Sequence, residues 1–509
     1  MKFNWRTPLF VLGLVLTWRV ALLIFTAQPI PGNDAFIFDG GMANWLKTGH
    51  YVNPCIEIGY PISSGKVFSI YPPIYQAALL VWMPIFGASV LSIMAMHLTM
   101  FAVDAWLVLA IVRKFFPGET NYAWAALLLF GITFGDRPED LAHIFGLVSL
   151  WLVMRQISGT RHDARVAGGI VLALLFALYT SVIVGAVYFG AGFLACAAAW
   201  WFQRKNILLL PFFLAAAAFA AIVLWVIEIH PLWWQGFLEN GRKQSVMGGM
   251  HAPHLLDLIK LIRTVPVFLL AVAALPLVLA RRRQLSVEPW LLLVTGSFAM
   301  GLMTLILTMT LIASDYVAYM IYLQIILAAG LLALADRLFP QSKRWPQILI
   351  LACVILVSVR AVGMTTWGAA CAWKNSYWQT QRQLRAELEP FTQSDAPVVI
   401  SSAYLYSASE FGVKHPIHSD WYYDRGIKDP NLDIKAIIKL RPSKLVLTQF
   451  DYYRGFTDLL GRLRQHPELV SVQVRDQAAV RTPDSIPSMQ RVVQHISWAP
   501  VIVDLDWKN

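Results

Sequence analysis

Apolar residues in this 509-residue chain come in long runs separated by short polar segments. Each run is close to the ~20 residues that a helix needs to cross a hydrocarbon core. The pattern predicts spans near 8–27, 89–112, 121–135, 139–157, 166–182, 183–202, 207–228, 265–280, 289–312, 316–335 and 346–364. From Lys374 the chain turns polar, and short β-like runs at 397–400, 444–448, 470–474 and 501–503 alternate with helical patterns such as 453–464. The expected fold class is a polytopic α-helical membrane protein of about eleven spans with a C-terminal soluble α/β domain. Residues 1–364 form the membrane module and 365–509 the non-cytoplasmic domain.

Charge orients these spans. The clusters Lys2/Arg6, Arg113/Lys114, Arg155/Arg161/Arg165, Arg204/Lys205, Arg281–Arg283 and Arg337/Lys343/Arg344 all fall in the cytoplasm if the N-terminus is inside, as the positive-inside bias requires. The loops 28–88, 135–138, 229–264 and 313–315, and the tail, then face out. One stretch tests the count. Residues 72–87 are apolar but short, with prolines at 72, 73 and 84; a full crossing would move Arg281–Arg283 outside. The segment is therefore read as an interfacial or re-entrant hairpin within the long outer loop 28–88. The first apolar run, too long for a signal core and with no clear cleavage site, is read as an uncleaved span.

Composition agrees, with 57% hydrophobic and 14% charged residues, against roughly a quarter charged in soluble chains. The net charge of +11 sits beside apolar runs rather than in a surface stripe, which excludes nucleic acid as a partner. Four cysteines exclude a disulfide scaffold. Cys196 and Cys353 fall in apolar runs; Cys55 and Cys371 fall on one side, where a disulfide between them is open.

Candidate chemistry gathers in the outer loops. After Pro31-Gly32, the spacing of Phe38, Met42, Trp45 and Leu46 predicts an amphipathic helix stopped at Gly49. Asp34 opens it, either as an N-cap or as an acid over the bundle; Asp39, one turn on, is a second candidate whose plainer reading is a solvated face. The second loop carries Asp136, Arg137, Glu139 and Asp140. Glu139 and Asp140 suit the first turn of a helix begun by Pro138, whereas four charges between two spans need an aqueous cavity or mutual pairing. His143 shares their helix face, and a core histidine bonded to a carboxylate is its plainer reading. In the third loop, Trp233, Trp234 and Phe237 suit interfacial anchors, and Arg242 and Lys243 suit an anion-binding lid or a solvated basic tip. Asp104, inside a span, is a candidate by placement alone. Asp504-Leu505-Asp506 imitates a nucleotide-sugar metal motif at a terminal strand. No P-loop, GxGxxG, HExxH or CxxC occurs.

Asp34, Gly49-His50-Tyr51, Tyr71-Pro72-Pro73 and Asp136-Arg137-Pro138-Glu139-Asp140 together resemble the GT-C membrane glycosyltransferases, in particular bacterial members similar to protein O-mannosyltransferases and aminoarabinose transferases. The resemblance covers about the first 160 residues. It implies an inverting sugar transfer from a polyprenyl-phosphate carrier to an acceptor hydroxyl on a glycolipid, glycan or protein, in the cell inner membrane. Asp34 is then the general base, and Arg137, Arg242 and Lys243 receive the leaving phosphate. Asp136, Glu139, Asp140, His143 and Tyr71 line the substrates. Relatives often carry a second acid beside the first, where this chain has Asn33 and Ala35, so no metal pair is expected there and divalent-cation use stays open. The rival reading is a secondary transporter or lipid flippase, whose signature is related halves and broken mid-bilayer helices; no such repeat is visible.

Overall fold

The computed structural model describes residues 6–26, 35–51, 73–130, 132, 137–159, 163–203, 209–229, 266–280, 321–338, 345–374, 377–418, 437–448, 457–475 and 500–508. Within them the chain is mostly helical. Helices α1 (Arg6–Thr26), α2 (Ala35–Thr48), α3 (Ile74–Phe86), α4 (Val90–Phe115), α5 (Glu119–Phe130), α6 (Glu139–Ser158), α7 (Ala164–Thr180), α8 (Val182–Gln203), α9 (Leu210–Ile229), α10 (Pro266–Ala280), α11 (Ile321–Leu338) and α12 (Trp345–Lys374) come first. Four described helices, α4, α6, α8 and α9, are long and apolar enough to cross a membrane, and shorter apolar helices flank them. The expected span 289–312 lies outside the described residues. The others begin or end within a few residues of their apolar runs, except that α12 continues ten residues past its run, to Lys374.

The core of the bundle is built by α4, α5, α6, α8 and α11, with Phe101, Val108, Leu129, Leu147, Tyr188 and Ile326 buried. The α7–α8 hairpin turns on the single residue Ser181. Such a tight reversal brings the helices together at Gly185, where a Cβ would stand 2.6 Å from the backbone of Leu178.

Residues 74–86 form one helix, and the hairpin expected there does not form. No breaker lies between Ile74 and Met83, and Pro84 falls in the last turn, where it ends the helix rather than reversing it. The reversal comes at Gly87, with φ of 80°. Ser89 caps α4 by accepting from the Ser92 amide at 3.2 Å, and the Trp82 indole N–H bonds back to Ser92 Oγ at 3.1 Å. Thirteen residues extend only ~20 Å, short of the ~30 Å hydrocarbon core.

After α12 come α13 (Tyr377–Leu388), a 3-10 turn, β1 (Val398–Ile400), α14 (Ser402–Phe411), β2 (Pro416–His418), β3 (Lys444–Leu447), α15 (Thr457–Leu463), β4 (Leu469–Val474) and β5 (Val501–Trp507). The sheet order is β2-β1-β3-β5-β4. β1 pairs in parallel with β2 and β3, and β5 runs antiparallel to β3 and β4. β1 and β3 are buried at every position, as parallel strands covered on both faces are. β2, three residues opened by a proline, has no alternating pattern and escapes a reading from sequence. Glu387 on α13 bonds Lys444 Nζ at 2.6 Å and Arg475 Nη1 at 2.9 Å, and both bases also meet Asp504. Asp506 accepts from Ser471. The Asp504-Leu505-Asp506 acids are thus engaged in ion pairing and strand contacts.

Replacing Gly185 with alanine is expected to push the α7–α8 hairpin apart and cost ~1–3 kcal/mol. A lowered thermal midpoint of the detergent-purified protein checks this; an unchanged midpoint would show that the hairpin does not depend on the close approach.

Candidate active site

The bundle end carrying the N-termini of α4 and α6 faces α2, α3 and the sheet unit. Their apolar residues form one continuous core, in which Phe36, Phe38 and Met42 of α2 meet Tyr75 and Leu79 of α3, Ile93 of α4 and Tyr404 of α14. α2 is the expected amphipathic helix, ended by Gly49 at φ 74°. Its buried face differs from the expected one, since Trp45 and Leu46 are exposed while Asp39 is completely buried.

Asp39 anchors a buried polar chain. Its Oδ1 accepts from the Tyr75 hydroxyl at 2.9 Å, and its Oδ2 accepts from the Tyr406 hydroxyl of α14. The Tyr75 oxygen lies 3.2 Å from His97 Nε2, and His97 Nδ1 lies 2.8 Å from Asp140 Oδ2. Tyr75, His97 and Tyr406 have no exposed surface. With the Tyr75 proton committed to Asp39, the Tyr75 oxygen is left as an acceptor toward His97 Nε2. His97 thus links the Tyr75 hydroxyl on α3 to the Asp140 carboxylate on α6. Half-buried Tyr51, just after α2, is pushed above the usual phenol range by its burial and, secondarily, by the charge on Asp39.

Arg137 precedes α6. Its Nε lies 3.3 Å from Glu139 Oε2, and its guanidinium sits 5.5 Å over the Phe38 ring, with about a third of the side chain exposed. Glu139 and Asp140 occupy the first turn of α6 as expected, with Pro138 in the cap position rather than the first helical one. Asp140 turns to His97. The carboxylate-bonded histidine is therefore His97, and His143 instead bonds the Tyr188 hydroxyl at 3.1 Å and stands edge-on to Tyr322. Gly146 makes room for this, since a Cβ there would lie 2.1 Å from the Tyr188 ring.

Deeper in the bundle lie Arg19 and Asp104. Arg19 donates to the carbonyls of Phe130, at 2.8 Å, and Ile132 at the end of α5, and lies 5.8 Å over Phe101. A buried arginine there satisfies helix-end acceptors that lipid cannot. Asp104 is fully buried, and among the described residues neither of its oxygens has a hydrogen-bond partner.

Asp34, Tyr71, Asp136, Arg242 and Lys243 lie outside the described residues, as does Cys55, and the Cys371 side chain is likewise not described. Of the expected site residues, the structure therefore places Arg137, Glu139, Asp140 and His143 on one helix terminus. The residues missed from sequence are Tyr75, His97, Arg19, Tyr188, Tyr322 and Tyr406, while Asp39 is buried rather than on a solvated face. Arg19 and His97 stand inside apolar runs, and that placement alone marks them as candidates. Among the described residues no cluster of three or more His, Cys, Asp or Glu could hold a metal ion.

No protein-family model matches the sequence, and no curated protein matches it. Solved structures do. ArnT from Cupriavidus metallidurans bound to undecaprenyl phosphate aligns over 96% of this chain and 97% of its own, with 12% identity and a TM-score of 0.54. Its apo state gives 14% identity and 0.52 over the same shares. The archaeal oligosaccharyltransferase AglB from Archaeoglobus fulgidus, in complex with an inhibitory peptide and a dolichol-phosphate, covers 88% of this chain and 70% of its own at 12% identity and 0.48. The chain shares its fold with ArnT over nearly its whole length.

Replacing His97 with leucine would strand Asp140 and Tyr75 without this partner, at an expected cost of ~3 kcal/mol. Unfolding of the purified protein measures this, and the double change His97→Leu with Asp140→Leu should recover part of the loss. A double variant as unstable as the sum of its singles would contradict the pairing.

Proposed function

We propose that the protein is an inverting glycosyltransferase that moves a sugar from a polyprenyl-phosphate carrier to an acceptor hydroxyl on a cell-envelope glycolipid, glycan or protein. The supporting observation is the near full-length likeness to ArnT, a protein crystallised with undecaprenyl phosphate, together with a half-buried arginine and two acids at one helix terminus. In this reading the chain makes about eleven spans, of which α4, α6, α8 and α9 are by themselves long and apolar enough to cross a hydrocarbon core. The N-terminus is cytoplasmic, and the sheet unit stands on the outer face of the inner membrane.

Asp34, the residue before α2 in the chain, takes the proton from the acceptor hydroxyl as its oxygen attacks the sugar C1. The bond from C1 to the carrier phosphate breaks on the opposite face, through an oxocarbenium-like state. One displacement inverts the centre and needs no enzyme nucleophile. Arg137, with Arg242 and Lys243, stabilises the charge that develops on the leaving phosphate. Asp136, Glu139 and Tyr71 orient the substrates, while Asp140 and His143 act through the groups they hold.

Asp34→Asn is expected to lower transfer from a polyprenyl-phospho-sugar in isolated membranes by ~100-fold or more, with normal protein levels. Full activity in that variant would remove Asp34 from the mechanism. If reconstituted wild-type protein instead moves the carrier across vesicles and glycosylates nothing, the transporter reading holds. A protease added to the outer face should release the tail beyond residue 370; a protected tail would reverse the topology.

A further inference from the structure

The buried chain from Tyr406 to Asp140 joins five elements that sequence holds far apart: α14, α2, α3, α4 and α6. Tyr406 and Asp39 are 367 residues apart. α2 is the helix that follows Asp34, and α6 carries Arg137 and Glu139 at its start. Each link is a side-chain hydrogen bond between groups with almost no exposed surface, so water does not readily replace a lost partner. The contact is supported around its edge. Phe36 of α2 meets the Tyr406 ring edge-on at 5.0 Å, Gln76 of α3 donates to the Phe38 carbonyl at 2.8 Å, and Lys47 of α2 donates to the Ser409 carbonyl of α14.

We propose that Tyr406, Asp39, Tyr75 and His97 are positioning residues that set α2 against the start of α6, so that the sheet unit contributes a side chain to the geometry of the site. This rests on the glycosyl-transfer reading for its kinetic consequence, but the brace itself rests on the contacts alone. None of the four is assigned a contact with substrate. Tyr406 acts through Asp39 on α2, and His97 acts through Asp140 on α6. A small displacement between a base and its reacting partner is enough to lower turnover steeply, whereas ground-state binding of the long lipid carrier depends on a much larger surface.

The test uses the full chain in nanodiscs. Tyr406→Phe keeps the ring and its packing on Phe36 and removes one hydroxyl. It is expected to lower kcat about tenfold with KM for the polyprenyl-phospho-sugar unchanged. His97→Gln should behave alike, and because both act through one chain the double variant should be no slower than the slower single. Lys414→Ala, at the exposed ion pair with Asp395, should keep wild-type kcat and KM. Wild-type kcat in Tyr406→Phe, or losses that multiply in the double variant, would overturn the proposal. If the wild-type protein transfers no sugar from any such donor, the function proposed above fails, and hydrogen exchange decides the brace separately. Tyr406→Phe should then speed amide exchange in α2 about tenfold, and unchanged protection there would overturn it.

Discussion

A carboxylate that has lost all contact with water must be met by donors, and the packing of this molecule follows from how Asp39 is met. Its two oxygens take hydroxyl protons from Tyr75, on the helix before the first long span, and from Tyr406, on the far side of the chain. Leaving either oxygen bare in an apolar setting costs more than the bond itself contributes. The requirement therefore fixes α2 between α3 and α14. It also explains why one apolar core runs without a break from the bundle end into the sheet unit.

The same rule operates one layer deeper with different groups. Arg19 takes up the carbonyls at the end of α5, where a helix terminus would otherwise face lipid. His143 and Tyr188 satisfy each other across α6 and α8, and Gly146 supplies the space for the tyrosine ring. Arg137, Glu139, Asp140 and His143 lie at or near the start of α6.

Much of this was legible in the residues. Run lengths locate the described apolar helices, Gly49 marks the end of α2, and the acids after Pro138 sit in the first turn of α6. Four strands of the sheet follow from their β-branched runs, and only β2, three residues opened by a proline, has no local signal. Two readings of polar residues failed for one reason. Asp39 was expected on the solvated face and His143 beside a carboxylate, because neighbours along a helix were the only neighbours visible. Their real partners, Tyr406 and Tyr188, lie 367 and 45 residues away.

The sequence by itself determined the solvent of each segment, because hydrophobicity and charge are summed over local windows and need no partner. Helix ends and the likeness to a family of membrane transferases were set in the same local terms, by glycine, proline and short motifs. Only the tertiary structure decided that residues 74–86 form a single helix and that His97 is the histidine paired with an acid. It alone decided that Tyr406, on α14 of the sheet unit, meets Asp39 on α2. Those outcomes depend on which faces meet when the helices pack, and a hydrogen bond between distant segments leaves no periodic trace in the chain.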